Sequence, residues 1–374
     1  MIPFNKPFLI GKELEYIEKA VLSGKISGNG LFTKKCQSFF ENKFGFKKAL
    51  LTTSCTDALE MCAMLLNIKE GDEVIVPSYT FVSSALAFVR QGAKIIFADS
   101  REDHPGINEA SLQSLITKKT KAIIVVHYAG VACDMDKVIA IAEKHNIFVV
   151  EDAAQSIDSY YKGRPLGSIG HLGAFSFHET KNIICGEGGA LMINDEKFID
   201  RAEVLWEKGT NRSAFFKGEV NKYGWIDTGS SFLPSELVAA FLYAQVENLE
   251  MIQEKRKEIW NLYYDELEEL GKTGLLKMPY IPSFATNNAH MFYVNTRSIE
   301  DRNELIAFLK EKKIHSVFHY LSLHKSEFYS KILNPKTLKN SEYYEGCLLR
   351  LPFFFELKTE EIKYICNTIK LFYR

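Results

Sequence analysis

Between residues 47 and 194, short apolar runs rich in Val and Ile alternate with stretches whose apolar residues recur at helical spacing. Residues 48–53, 73–76, 94–98, 122–126 and 147–150 each hold a run of consecutive apolar residues, which predicts strands covered on both faces. Residues 58–66, 81–89, 108–116 and 135–145 predict the helices between them. Strand and helix in alternation give a mostly parallel sheet flanked by helices. Such sheets collect ligands at the carboxyl ends of their strands. Beyond Pro234, a run free of Gly and Pro over 235–270 predicts one long helix, bent along its length, with Ser235 and Glu236 at its start. After Gly271 the pattern changes, with strands expected over 290–296 and 314–320 and helices over 301–312 and 359–371. The expected fold is therefore α/β: a large, mostly parallel-sheet domain over 1–234, then the long helix and a smaller C-terminal α+β domain over 235–374. No internal repeat or low-complexity segment interrupts this plan.

Composition narrows the class. The chain has 374 residues, 46% apolar and 25% charged, as expected of a globular protein large enough for two domains. Lys and Arg number 46 against 47 Asp and Glu, so no global field draws nucleic acid or an anionic membrane. The seven cysteines form no C-x-x-C pair, which argues against a zinc site and against a disulfide framework. The N-terminus lacks the layout of a signal peptide, and no apolar run approaches the roughly 20 residues of a membrane helix. A reduced, cytoplasmic enzyme without a metal is the expectation.

The chemistry concentrates at predicted strand ends. Lys181 follows Ala174-Phe175-Ser176-Phe177-His178-Glu179-Thr180 and precedes Gly186-Glu187-Gly188-Gly189. The strand over 147–150 runs into Glu151-Asp152-Ala153-Ala154-Gln155. A lysine that forms a Schiff base, an Asp that keeps a pyridine nitrogen protonated, and hydroxyls with bare backbone for a phosphate make up a site for pyridoxal phosphate. Taken singly, such a Lys is usually solvated and such an Asp usually caps a helix; the set in this order points to the cofactor. Gln155, one helical turn beyond Asp152, is within reach of the ring hydroxyl. Ser54-Cys55-Thr56-Asp57 opens a helix and offers free amides at its positive end. Phe81 is a candidate to lie on the ring.

With these residues assembled, the chain resembles the DegT/DnrJ/EryC1/StrS family of pyridoxal-phosphate-dependent nucleotide-sugar aminotransferases, from Ile2 to the final helix. The blocks that carry the resemblance are Ile2-Pro3-Phe4-Asn5, Pro77-Ser78-Tyr79-Thr80-Phe81-Val82-Ser83, His127-Tyr128-Ala129-Gly130-Val131-Ala132-Cys133, Ser176-Phe177-His178-Glu179-Thr180-Lys181-Asn182 and Glu207-Lys208-Gly209-Thr210-Asn211-Arg212-Ser213. They are most similar to the subgroup that aminates dTDP-4-keto-6-deoxy-D-glucose at C4 for enterobacterial common antigen, a lipopolysaccharide-related product. The resemblance implies the fold type I architecture of aspartate aminotransferase and a homodimer with shared active sites. It implies Lys181 as the Schiff-base residue and Asp152 at the pyridinium. Gln155 would meet the ring oxygen and Phe81 the ring face, with Ser176, Thr56 and the Cys55 amide on the phosphate. Many relatives have Asn where this chain has Ser231, so the contact expected from the second subunit becomes a hydroxyl. Sugar dehydratases of this fold carry His in place of the lysine; Lys181 favours amine exchange, and His178 is no substitute for it.

The reaction expected is transamination in two halves. L-glutamate would give up its nitrogen, and dTDP-4-keto-6-deoxy-D-glucose would receive it as an axial amine, giving dTDP-4-amino-4,6-dideoxy-D-galactose. His290, His319, His324, Tyr320 and Arg212 are candidates for the sugar or its pyrophosphate. The Gly-containing loop 25–30 is a candidate cover for the cofactor or a simple turn. Other readings are amination at C3, an equatorial gluco amine, or a non-catalytic regulator on the same fold, which would not need the Lys, Asp and Gln set. A nicotinamide dehydrogenase is excluded by the first strand's turn, Leu51-Thr52-Thr53-Ser54-Cys55-Thr56, which has no glycine.

Overall fold

A computed structural model describes residues 1–332 and 336–374. Its larger sheet has seven strands: β1 (Lys48–Thr52), β2 (Glu73–Pro77), β3 (Lys94–Ala98), β4 (Thr120–Val126), β5 (Phe148–Asp152), β8 (Leu172–Ser176) and β9 (Gly189–Ile193). The two-stranded ribbon β6 (Tyr160–Tyr161) and β7 (Arg164–Pro165) lies apart from it. The order across the large sheet is β1-β9-β8-β5-β4-β2-β3. Strands β3, β2, β4, β5 and β8 are mutually parallel, and β9 runs antiparallel to both β1 and β8. Ile75, Ile123, Val125 and Val149 pack one face, and Val74, Val76, Ile124 and Val150 the other. Two covered faces explain why these strands read as unbroken apolar runs.

The smaller sheet is β10 (Tyr293–Asn295), β12 (Leu348–Arg350) and β11 (Val317–Phe318), all antiparallel, with β12 in the middle. Helices Ile299–Glu311 and Thr359–Phe372 cover it, with Val294, Leu305, Leu349 and Ile365 in its core. The first residues of the chain also pack here. Ile2 bridges Ile314, and the Phe353 amide bonds to the Phe4 carbonyl.

The single helix expected over 235–270 is two, Glu236–Val246 and Leu249–Lys272. No Gly or Pro marks the break. Asn248 turns its side-chain amide onto the Ala244 carbonyl at 2.8 Å, while Lys12 and Tyr16 hold the Glu247 carboxylate. Tertiary contacts set this corner, and helical propensity does not. Among the described residues, no helix is long and apolar enough to cross a membrane.

Candidate active site

The carboxyl ends of the parallel strands face the smaller sheet across a cleft of about 760 Å³. At one end, Ser54 caps the helix Cys55–Leu65 by accepting the Asp57 amide at 3.1 Å. Cys55 and Thr56 occupy the first turn, and Thr56 shares a 2.7 Å hydrogen bond with Ser83. Gly189 of β9 lies in register with Thr52 and with Ser176. A Cβ there would come 2.4 Å from the Cys55 nitrogen, so only glycine allows the strand this close to the helix start. Free amides, hydroxyls and a positive helix end make this corner fit for a phosphate.

Asp152 ends β5 and is 6% exposed. Ser84 Oγ donates to one of its oxygens at 2.6 Å and the Ala154 amide to the other at 3.2 Å. Among the described residues, no cation lies within ion-pair distance of it. Burial pushes its pKa up, against those bonds and the charges of Lys181 and His127. Its neighbour Glu151 points to the opposite face, as strand alternation requires. There it accepts the amides of Gly167, Ile169 and Gly170 and lies 2.8 Å from His127 Nε2. Gln155 accepts the Ala129 amide at 2.6 Å and donates to Tyr320 Oη at 3.0 Å. Both of those partners have left-handed backbone, with φ of 55° at Ala129 and 50° at Tyr320. For a bulky Tyr this conformation is uncommon, and strain of this kind concentrates at functional sites.

Lys181 stands in a loop stapled at its base. Phe177 N–H donates to the Gly188 carbonyl, Cys185 N–H to that of Phe177, and Glu179 N–H to that of Gly186. The next residue, Asn182, is buried and anchors the loop to Gln253, to the Asn288 carbonyl and, through Oδ1, to His290 Nδ1 at 2.8 Å. Burial draws the Lys181 amine down from its usual range, with Cys55 and Asp152 pulling the other way.

The opposite wall carries His290, His319, Tyr320 and Arg350. His319 shares a 2.7 Å hydrogen bond with the Tyr128 hydroxyl, and its ring stacks on Tyr320 at 3.5 Å. Phe81 is at the rim, 56% exposed and tilted toward Tyr320. Ser176, Gln155, Lys181 and Asp152 all line this same cleft. Three expected site residues do not. His324 is buried behind the wall, with Nδ1 2.6 Å from Ser78 Oγ and Nε2 3.3 Å from Glu342, so neither nitrogen is left for a ligand. Arg212 is exposed at the start of the short helix Arg212–Phe216, over the Phe216 ring. Ser231 is exposed and bridges Glu207, away from this chain's own cleft. The loop 25–30 packs on Pro234 and Glu236 and does not cover the cleft.

Arg350 and Ser84 escaped the sequence reading, and Asn182 entered it only as the end of a block, with no role assigned. Ser84 carries no local mark, since its importance comes from what tertiary folding places beside it. Arg350 does carry one: it is a lone charge inside Leu348-Leu349-Arg350-Leu351-Pro352-Phe353.

Comparison with known proteins bears on this cleft. The model of the DegT/DnrJ/EryC1/StrS aminotransferase family matches residues 8–370. GDP-perosamine synthase of Escherichia coli O157:H7 is 31% identical over 376 residues, covering 100% of this chain and 98% of its own. The spore coat polysaccharide biosynthesis protein SpsC of Bacillus subtilis strain 168 is 30% identical over 378 residues, covering 99% and 96%. Among solved structures, Spr1654 from Streptococcus pneumoniae in its pyridoxamine-phosphate form superposes with a TM-score of 0.92 at 26% identity, covering 100% of this chain and 99% of that one. Its pyridoxal-phosphate form gives 0.91 at 26% identity, with 99% and 98% covered.

Proposed function

The chain belongs to the DegT/DnrJ/EryC1/StrS aminotransferase family, and from that premise we propose that it moves an amino group from L-glutamate to C4 of dTDP-4-keto-6-deoxy-D-glucose, using pyridoxal phosphate. The product would be dTDP-4-amino-4,6-dideoxy-D-galactose, made in the cytoplasm by a homodimer whose partner contributes Ser231. The observation that carries this reading is Lys181, half-buried, and Asp152, buried, lining one cleft, with no ion-pair partner for the acid among the described residues.

The residues present fit the cofactor. The Gly189 cradle, the Cys55 and Thr56 amides, Thr56 Oγ1 and Ser176 would hold its phosphate. Asp152 would face the ring nitrogen, Gln155 the ring oxygen and Phe81 the ring face. When bound, pyridoxal phosphate supplies an aldehyde that carries nitrogen and a ring that takes up the electrons of a broken C–H bond.

The chain's own part is positioning and proton transfer. Ser84 and the Ala154 amide keep Asp152 oriented, and a ring N–H⁺ against it would return it to the charged form that burial disfavours. Lys181 Nζ, with its pKa drawn down, takes a proton from the donor's α-carbon and later delivers one at C4 of the sugar. The stapled base of its loop fixes where that nitrogen acts. His290 donates through Nδ1 to Asn182, which leaves Nε2 as an acceptor toward a sugar hydroxyl. Tyr320 and His319 form the neighbouring wall.

One specific observation favours a second nucleotide. The 31% identical relative is a GDP-perosamine synthase, so a GDP-linked 4-keto-6-deoxy sugar is the competing substrate. The test begins with borohydride reduction of the purified protein and peptide mapping, which is expected to find the cofactor fixed on Lys181. Lys181→Ala is expected to lose that adduct and about a thousandfold or more of the turnover. dTDP-, GDP- and UDP-linked 4-keto-6-deoxy sugars are then offered with L-glutamate, and NMR ring couplings of the product report the carbon and face aminated. Turnover retained by Lys181→Ala refutes the assigned base; preference for the GDP sugar overturns the nucleotide.

A further inference from the structure

Asn288, in the segment that leads into β10, is fully buried and does not line the cleft, yet the elements that do line it meet on this one residue. Its Nδ2 donates to the Gln155 carbonyl at 2.9 Å and to the Ile157 carbonyl at 2.8 Å, so it holds the turn that follows β5. Its Oδ1 accepts the His290 amide at 3.1 Å. Its own carbonyl takes Asn182 Nδ2 at 2.9 Å and Gln253 Nε2 at 3.3 Å, which ties it to the Lys181 loop and to the helix Leu249–Lys272. The backbone that follows is held as firmly. Ala289 has a φ of 51°, and buried Arg256 donates to the Ala289 carbonyl at 3.0 Å and to that of His290 at 2.7 Å. From the other side, Gly130 approaches so closely that a Cβ there would lie 2.0 Å from Asn288 Oδ1 and 2.7 Å from the Gln155 carbonyl oxygen. Two carbonyls facing Nδ2 and an N–H facing Oδ1 fix the orientation of the carboxamide. A group that donates twice and accepts once satisfies them all, and a buried polar network left half-satisfied is costly.

We propose that Asn288 is a positioning residue of the transamination, holding the Lys181 loop and the Gln155 turn in one rigid frame. This rests on the reading of the cleft as the site where Lys181 bears the cofactor and Gln155 meets its ring oxygen. Proton transfer at Lys181 Nζ needs the amine and the ring at a set separation, and an error of about 1 Å costs up to about a hundredfold in rate. The two groups come from different loops, Gln155 after β5 and Lys181 after β8, and neither loop is a helix or strand that fixes itself. Their hydrogen bonds converge. Asn182, adjacent to the lysine, meets the Asn288 carbonyl, and the Gln155 backbone meets the Asn288 side chain. His290 is drawn into the same frame, since Asn182 Oδ1 holds its ring and Asn288 Oδ1 its amide. One asparagine thus sets the amine, the contact to the ring oxygen and the imidazole on the opposite wall relative to one another.

The test uses holoenzyme and two substitutions. Asn288→Ala removes both donated bonds, whereas Asn288→Asp keeps the shape and, protonated when buried, one of the two. In Asn288→Ala, kcat is expected to fall by about 30-fold while the apparent affinities for L-glutamate and for the nucleotide keto-sugar stay within about threefold, since no substrate contact is lost. Asn288→Asp should lie between it and the wild type. The second readout is the pH titration of the cofactor's visible absorbance in the absence of substrate. Its midpoint reports the proton on the lysine-linked nitrogen, and a Gln155 that no longer donates to the ring oxygen leaves that oxygen better able to hold the proton. The midpoint should rise by about 0.5–1 pH unit in Asn288→Ala and by less in Asn288→Asp. Leu305→Ala, in the core of the smaller sheet, is the control for stability alone: its thermal midpoint should drop, with kcat and the titration unchanged at temperatures well below it. Should Asn288→Ala not fold, Asn288→Asp is compared with the wild type in its place. An unmoved titration with kcat lost only in proportion to stability makes Asn288 a strut and overturns the proposal, as does a loss that falls on substrate affinity with kcat intact. A wild type that does not react with L-glutamate refutes the proposed function instead, and the absorbance titration still decides the role of Asn288.

Discussion

Burial acts in opposite directions on the two charges in the cleft floor: it raises the Asp152 carboxyl and lowers the Lys181 amine, so each is drawn toward its neutral form. Because the folded pKa of Asp152 exceeds the unfolded value of 3.8, the folded state holds a proton that the unfolded chain releases. The stability this gives is full below the unfolded pKa and is lost as pH rises through the folded one. Asp152→Asn removes that dependence. The cofactor-free variant should therefore melt above the wild type at pH 7 and lose its advantage toward pH 4, while retaining cofactor far more weakly. Calorimetry of both apoproteins across that range checks it, and a wild type that melts higher at pH 7 would contradict it. Lys181 and Asp152 were legible in the sequence because each follows an apolar run whose end is a ligand position in any parallel sheet. His324 was misread because strand-end placement says nothing of whether Ser78 and Glu342 will claim its nitrogens. Arg350 went unread although a lone charge inside the apolar run 348–353 is a mark the sequence carries.

At the scale of elements, the sequence showed where most strands and helices lie and concealed how they meet. Helix 135–145 coincides with Met135–His145, since an amphipathic period between two strands leaves little alternative. The insertion of β9 between β1 and β8 has no local signature; it follows from Gly189 permitting contact with Ser54 and Cys55. The break between Val246 and Leu249 was hidden for a similar reason, since no Gly or Pro marks it and the groups that hold Glu247 there, Lys12 and Tyr16, lie some 230 residues away. The loop at Gly28 and Gly30 makes the point testable. Glu236, 1% exposed, opens the helix Glu236–Val246 and accepts the amides of Gly30, Phe32 and Thr33, so one carboxylate joins the starts of two helices. A Cβ on residue 30 would lie 2.5 Å from Glu236 Cδ. Gly30→Ala must displace that carboxylate and should destabilise the protein by about 1–3 kcal/mol. Glu236→Gln, which keeps the shape but cannot satisfy every donor, should cost a similar amount. Unfolding in urea measures both, and a neutral Gly30→Ala would mean the junction is looser than its geometry.

Across the whole molecule, the seam between the two sheets is lined by imidazoles kept neutral. Burial holds the pKa of His104 down at about 4, where the Gly106 amide donates to Nδ1 and the Arg101 charge adds to the effect. His290 and His319 are pushed well below 6.5 by burial and by the cations about them, Lys181, Arg256 and Arg350 for the first and Arg350 and Lys181 for the second. In all three the folded state refuses a proton that the unfolded chain accepts. Their contribution is therefore present above pH 6.5 and lost as pH falls toward each folded pKa, with a slope of about 1.4 kcal/mol per pH unit for each residue. The holoenzyme should thus lose thermal stability steadily between pH 6.5 and 5, and the loss should begin at the seam. Hydrogen exchange should show amides near residues 127–130 and 288–293 opening before those of β4 and β5 as pH drops. A melting temperature that is flat over this range, or exchange that starts in the strands, would mean that these rings already carry charge or share a proton with Tyr128 or Asn182 in a way that removes the cost. The same seam holds Lys181 and Arg350, so its opening should bleed cofactor before the large sheet unfolds, and loss of the cofactor's absorbance should precede loss of secondary structure on acidification.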